Sequence, residues 1–142
     1  MQQFAFVLAA TSILALGACT TSAEQSGPEE QANDNCPVLE SEGWAANIAP
    51  LASNPDIQQL TVSGRVTMPT PDYSFAWDAG RLHGAAAPSF ELRLLAKPPS
   101  GMVTQVLDTR EVTYAGPAAA PRYREITVIC EGRVLARIGD VG

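Results

Sequence analysis

Leu60-Thr61-Val62-Ser63-Gly64-Arg65-Val66-Thr67-Met68 is the run that decides the fold. Leu60, Val62, Val66 and Met68 share one face, while Thr61, Ser63, Arg65 and Thr67 share the other. Period-2 alternation carried by β-branched residues predicts a half-buried β-strand. Pro69-Thr70-Pro71 ends it, because proline has no N–H to give to a ladder. Tyr73, Phe75 and Trp77 then alternate with Ser74, Ala76 and Asp78, predicting a second, aromatic strand. Past a Gly/Ala-rich loop over 80–88, Phe90, Leu92, Leu94 and Ala96 repeat the pattern against Glu91 and Arg93. The turn Pro98-Pro99-Ser100-Gly101 leads into a strand expected over 102–114. Its apolar register shifts from Val103 and Leu107 to Val112 and Tyr114, which predicts a bulge near 108–110. After a Pro/Ala-rich loop over 116–121, Ile126, Val128 and Cys130 alternate, and Val134, Ala136 and Ile138 alternate back. Between them Glu131-Gly132 makes a terminal hairpin.

Upstream, Trp44 and Ile48 lie four apart and Pro50 stops the run. This spacing predicts a short helix over 41–49, plugging one end of the domain with Trp44 buried. Residues 36–142 are enough for one domain with one modest core. The expected fold class is all-β: a small antiparallel β-sandwich, immunoglobulin-like or a partial barrel, with one short N-terminal helix.

Chemical vocabulary is sparse. The single histidine, His83, lies in the loop Arg81-Leu82-His83-Gly84 with no partner at zinc-ligand spacing, so no metal site is expected. Ser63, Ser74, Ser89 and Ser100 lack a nucleophile-elbow context. Asp72 and Asp78 flank the aromatic strand, where carboxylates commonly form turns. No phosphate loop or EF-hand spacing is present, so no catalytic residue and no cofactor is assigned. Tyr73, Phe75 and Trp77 are the best candidates for a binding face, with simple core packing as the alternative. Arg65, Arg93 and Arg110 fall on polar faces and are expected to face solvent.

The N-terminal segment carries a different message. Residues 4–16 are thirteen uncharged, mostly apolar positions, too few for the roughly 20 that a spanning helix needs but right for a signal-peptide core. Leu16-Gly17-Ala18-Cys19 follows and resembles the lipobox of bacterial lipoproteins, although residues 1–19 lack the Lys or Arg usual near the start. The resemblance implies cleavage after residue 18 (residues 1–18 being the signal peptide) and a diacylglyceryl thioether on Cys19. Two or three acyl chains hold a protein stably on a bilayer, at roughly 0.8 kcal/mol per buried CH₂. Thr20 in the next position favours, by the same resemblance, the outer membrane facing the periplasm. The alternative is an ordinary cleaved signal peptide with an unmodified Cys19.

Residues 20–35 contain no large apolar side chain and four acidic ones, Glu24, Glu29, Glu30 and Asp34. Residues 19–35 thus read as the lipidated cysteine plus a disordered acidic linker. Its sixteen residues would span about 20–24 Å r.m.s. as a flexible chain. The chain's net charge of −6, less these four, leaves −2 on residues 36–142. No basic stripe appears, so nucleic acid is not an expected partner. With Cys19 lipidated, Cys36 and Cys130 remain as an even pair in an oxidising compartment, implying a disulfide over two buried free thiols. The domain's layout (LTVSGRV, PTP-x-Tyr, PPSG, C-x-GR-x-LA-x-I) resembles small uncharacterised bacterial envelope lipoproteins and brings no activity with it. The expected role is a lipid-anchored, non-enzymatic interaction domain meeting an envelope protein or the cell wall. The alternatives are an envelope hydrolase or small-ligand binder using His83, Asp72 and Asp78, and a purely structural or inhibitory module.

Overall fold

The computed structural model describes residues 35–142; the expected signal peptide, Cys19 and nearly all of the expected linker lie outside the described residues. Seven strands form two layers: β1 (Glu40–Leu51), β2 (Asn54–Met68), β3 (Ser74–His83), β4 (Ser89–Lys97), β5 (Asp108–Pro117), β6 (Tyr123–Cys130) and β7 (Arg133–Val141). One sheet has the order β1-β2-β5 and the other β3-β4-β6-β7. The all-β sandwich expected from the alternation is therefore present.

The alternation places the core. Leu60, Val62, Val66 and Met68 of β2 are completely buried, as are Leu92 and Leu94 of β4 and Ile126, Val128 and Cys130 of β6. They fall into two clusters. One is built around Leu60, Leu92, Ile126 and Val128, and the other around Val66, Met68, Leu94 and Cys130. Trp44 and Trp77 pack against both clusters and join them. The β6–β7 turn takes positive φ at both Glu131 (46°) and Gly132 (89°), the backbone sign that matches the right-handed twist of a two-residue hairpin.

Three expectations are corrected. Residues 41–49 are not a helix but most of β1, which pairs antiparallel with β2. Trp44, Ala46 and Ile48 share its inward face, so a spacing of four fits a strand as well as a helix. A register shift between Glu42 and Ala45, with Gly43 at φ 65°, turns Trp44 inward, where it is half-buried. Pro50 is tolerated because β1 is an edge strand. Second, no strand covers 102–107: β5 begins at Asp108 and pairs with β2 without a bulge. The shift in apolar register marks the boundary between a loop and a strand. Third, β4 and β6 pair in parallel, so this sheet is mixed rather than wholly antiparallel. Between them the chain crosses to the other sheet as β5 and returns, which supplies the long connection that parallel neighbours require. An immunoglobulin constant-type order would place the fourth strand beside the fifth; here it lies between β3 and β6.

A disulfide joins Cys36 to Cys130, with Cα atoms 5.4 Å apart, and ties the start of the domain to the end of β6. Nearby, Arg133 donates to the Val38 carbonyl, and Ser41 Oγ donates to the Leu135 carbonyl at 3.5 Å. These links close the β1/β7 side. The β5/β3 side is held by Trp77 Nε1, which donates to the Thr113 carbonyl at 2.9 Å, and by Arg110, whose Nη1 donates to the Tyr73 carbonyl at 3.3 Å.

Candidate functional site

The residues singled out in the sequence do not converge. Asp72, with φ 65°, sits in the turn before β3, and His83 is the last residue of that strand. At about 3.3 Å per residue they stand roughly 30 Å or more apart. Asp78, between them, faces Arg93 at 3.7 Å. The three share no cleft, and the hydrolase reading loses its constellation. No cluster of three or more His, Cys, Asp or Glu suited to a metal occurs among the described residues.

Tyr73, Phe75 and Trp77 turn inward and pack against the core, the alternative that the sequence left open. Trp77 meets Trp44 edge-on, with centroids 6.5 Å apart, and Tyr114 at 6.1 Å. This aromatic chain is possible because Gly64 occupies the inward position on β2 beneath the Trp44 indole. Burial pushes the Tyr114 phenol above its ordinary pKa, and Tyr123 adds a push in the same direction. The polar-face arginines are paired within the domain: Arg65 with Glu42 at 3.7 Å, Arg93 with Glu91 at 2.9 Å, and Arg110 with Asp108 at 2.5 Å.

What remains without an internal role is apolar surface, and its placement is uneven. Strand register and the disulfide put Cys36, the 69–73 turn, the 98–107 loop and the 131–132 turn at one end of the sandwich. Loops 52–53, 84–88 and 118–122 lie at the other. Leu39, Leu95, Met102, Val106, Leu107 and Val134 are exposed at the Cys36 end. The far end has only Ile57 and Leu82 among the described large apolar side chains left in solvent. Single exposed apolar residues are ordinary; their gathering at one end makes that end the candidate surface of the domain.

The 98–107 loop is the most prominent part of that end. Met102 is fully exposed, Leu107 is 69% exposed and Val106 is 53% exposed. Gly101, at φ 100°, lets the chain reverse after Pro98 and Pro99. Between the loop and β3 runs an open groove of about 500 Å³, lined by Asp72, Ser74, Lys97, Pro98, Met102 and Val103 among others. Sequence reading missed this surface because it placed 102–107 in a strand. The signal was present as an apolar run after PPSG that keeps no clean alternation. A depression of about 430 Å³ at the far end is walled largely by residues 117–121, where Ala118 N–H donates to the Gln58 carbonyl and Ala119 N–H to Tyr123 Oη, each at 2.8 Å.

Compared with known protein families, with curated proteins and with solved structures, the chain matches none of them.

Proposed function

We propose that the protein is a lipid-anchored resident of the bacterial envelope, acylated at Cys19, whose β-sandwich acts as a non-enzymatic interaction module. The observation that carries this reading is the polarised surface. Apolar side chains left in solvent gather at the end where the chain arrives from Cys19, on a scaffold whose titratable groups are scattered or paired with one another. The Cys36–Cys130 bond suits an oxidising compartment. The outer membrane, on its periplasmic face, is the location that Thr20 favours. A periplasmic protein or the cell wall is the partner class reached from there.

Two measurements test it. Mass spectrometry of the mature protein should find an N-terminal Cys19 peptide carrying a diacylglyceryl group, and Cys19→Ala should release the protein from the membrane fraction. In-cell crosslinking should then recover a specific envelope partner. An unacylated mature chain with residues 1–18 intact refutes the anchor. A domain in which no surface substitution alters crosslinking or phenotype refutes the interaction role.

A further inference from the structure

We infer that the Cys36 end of the sandwich is a bilayer-contacting face, with the 98–107 loop seated at the headgroup–acyl boundary of the same membrane that holds the acyl chains. The inference rests on the acylation of Cys19 proposed above and names what the apolar end meets.

Three observations carry it. The first is reach. Sixteen residues separate Cys19 from Cys36, about 20–24 Å r.m.s. for an unstructured chain, whereas the fifteen residues of β2 alone extend roughly 45–50 Å. On that average span, the end at which the chain arrives is favoured over the far-end loops for contact with the lipid. The second is chemistry. Residues 98–107, Pro-Pro-Ser-Gly-Met-Val-Thr-Gln-Val-Leu, contain no charge. Lys97 stands at the root of the loop, where an ammonium on its long stem can lie among lipid phosphates. Asp108, just past the loop, is neutralised by Arg110 at 2.5 Å. A tip of this composition crosses the headgroup layer without burying an ion, and Met102, Val106 and Leu107 gain by leaving water. The third is that Met102, Val106 and Leu107 all stay more than half exposed, while Leu94 before the loop and Val112 after it are buried. The apolar character of the tip is thus not needed for the core.

Three apolar side chains would hold a free protein on a bilayer only weakly. Once Cys19 is anchored, the contact becomes intramolecular, at an effective concentration that short flexible linkers bring to the millimolar range. Weak insertion then suffices to fix the orientation of the sandwich and to direct residues 52–53, 84–88 and 118–122 away from the membrane.

The test uses the full acylated chain in vesicles of phosphatidylethanolamine and phosphatidylglycerol. An environment-sensitive fluorophore is placed on Met102→Cys, and in a second protein on Ser53→Cys at the far end. Both positions are exposed, so labelling leaves the core intact. The protein should float with the vesicles. The Met102 probe should shift to the blue and be quenched by brominated lipid, and the Ser53 probe should do neither. Adding Val106→Ser and Leu107→Ser should lower the contact equilibrium roughly tenfold per side chain while flotation persists. Failure to float overturns the anchor and this inference with it. Flotation with a Met102 probe as exposed as the Ser53 probe overturns the inference alone. A Met102 signal that appears without vesicles and grows with protein concentration assigns the loop to a second copy of the chain and overturns it as well.

Discussion

Gly64→Ala should destabilise the domain although alanine is ordinarily the better strand residue. A Cβ built on Gly64 would lie 2.3 Å from Trp44 Cδ2 and 2.4 Å from Cε3, far inside contact distance. The indole is a rigid ring in edge-on contact with Trp77, so it cannot move without disturbing the joint between the two core clusters. Overpacking of this kind costs about 1–3 kcal/mol, against a gain of about 0.5–1 kcal/mol from removing a strand glycine. With Trp44→Ala in the background the obstacle is gone, and the same Gly64→Ala change should become neutral or stabilising. The two sites are thus coupled by about 1–3 kcal/mol, the overpacking cost itself, within the range seen for residues in contact. Thermal unfolding of the four proteins of the cycle, followed by far-UV circular dichroism, measures it. At about 4–8 °C per kcal/mol for a domain of this size, the mid-range net loss of about 1.25 kcal/mol from Gly64→Ala alone should lower the Tm by roughly 5–10 °C. A single mutant as stable as the parent, or an equal loss in the Trp44→Ala background, would refute the packing argument.

Other perturbations follow from the same contacts. Reducing the Cys36–Cys130 bond should lower unfolding free energy by about 4–5 kcal/mol on the chain-entropy account, read as a drop in urea midpoint on adding reductant; an unchanged midpoint would count against it. Trp77→Phe removes the donor to the Thr113 carbonyl and should cost about 1 kcal/mol, with amide exchange in β5 quickening more than in β6. Uniform exchange across both strands would place the loss elsewhere. Tyr114 holds its proton more tightly folded than unfolded, because burial raises its pKa above 10.0. Stability from this group is complete below pH 10 and falls as pH rises through the folded value. Tyr114→Phe should flatten that alkaline slope in pH-dependent denaturation, and an unaltered slope would contradict the assignment.

The strands that could be read from residues are those in which alternation is unambiguous. β4, β6 and the 60–68 part of β2 each bury large apolar side chains at alternate positions, as that pattern demands. β1 was misread for a physical reason: positions four apart coincide on a helix and on a strand, and the intervening Ala46 is too small to declare the shorter period. Pro50 looked like a helix stop because nothing local reveals that its strand is an edge. The pairing of β4 with β6 depends on the path of the chain between them, which no local pattern encodes. The same limit hid the candidate surface. Met102, Val106 and Leu107 are apolar like core residues, and only the placement of Leu94, Val112 and the neighbouring turns reveals that the core is filled without them. Conversely, Tyr73, Phe75 and Trp77 looked like a binding face by composition alone, and their alternation, read strictly, already pointed inward.

The link between Cys36 and Cys130 also has a mechanical meaning. Tension transmitted by the residues ahead of Cys36 does not peel β1, the edge strand that follows, because the covalent bond carries the load across the sandwich into β6. β6 is hydrogen-bonded on both sides, to β4 and to β7, so the force is met as shear along two ladders rather than as unzipping of one. With the anchor proposed at Cys19, a domain wired this way would resist being pulled from that side, and β1 would stay folded under load.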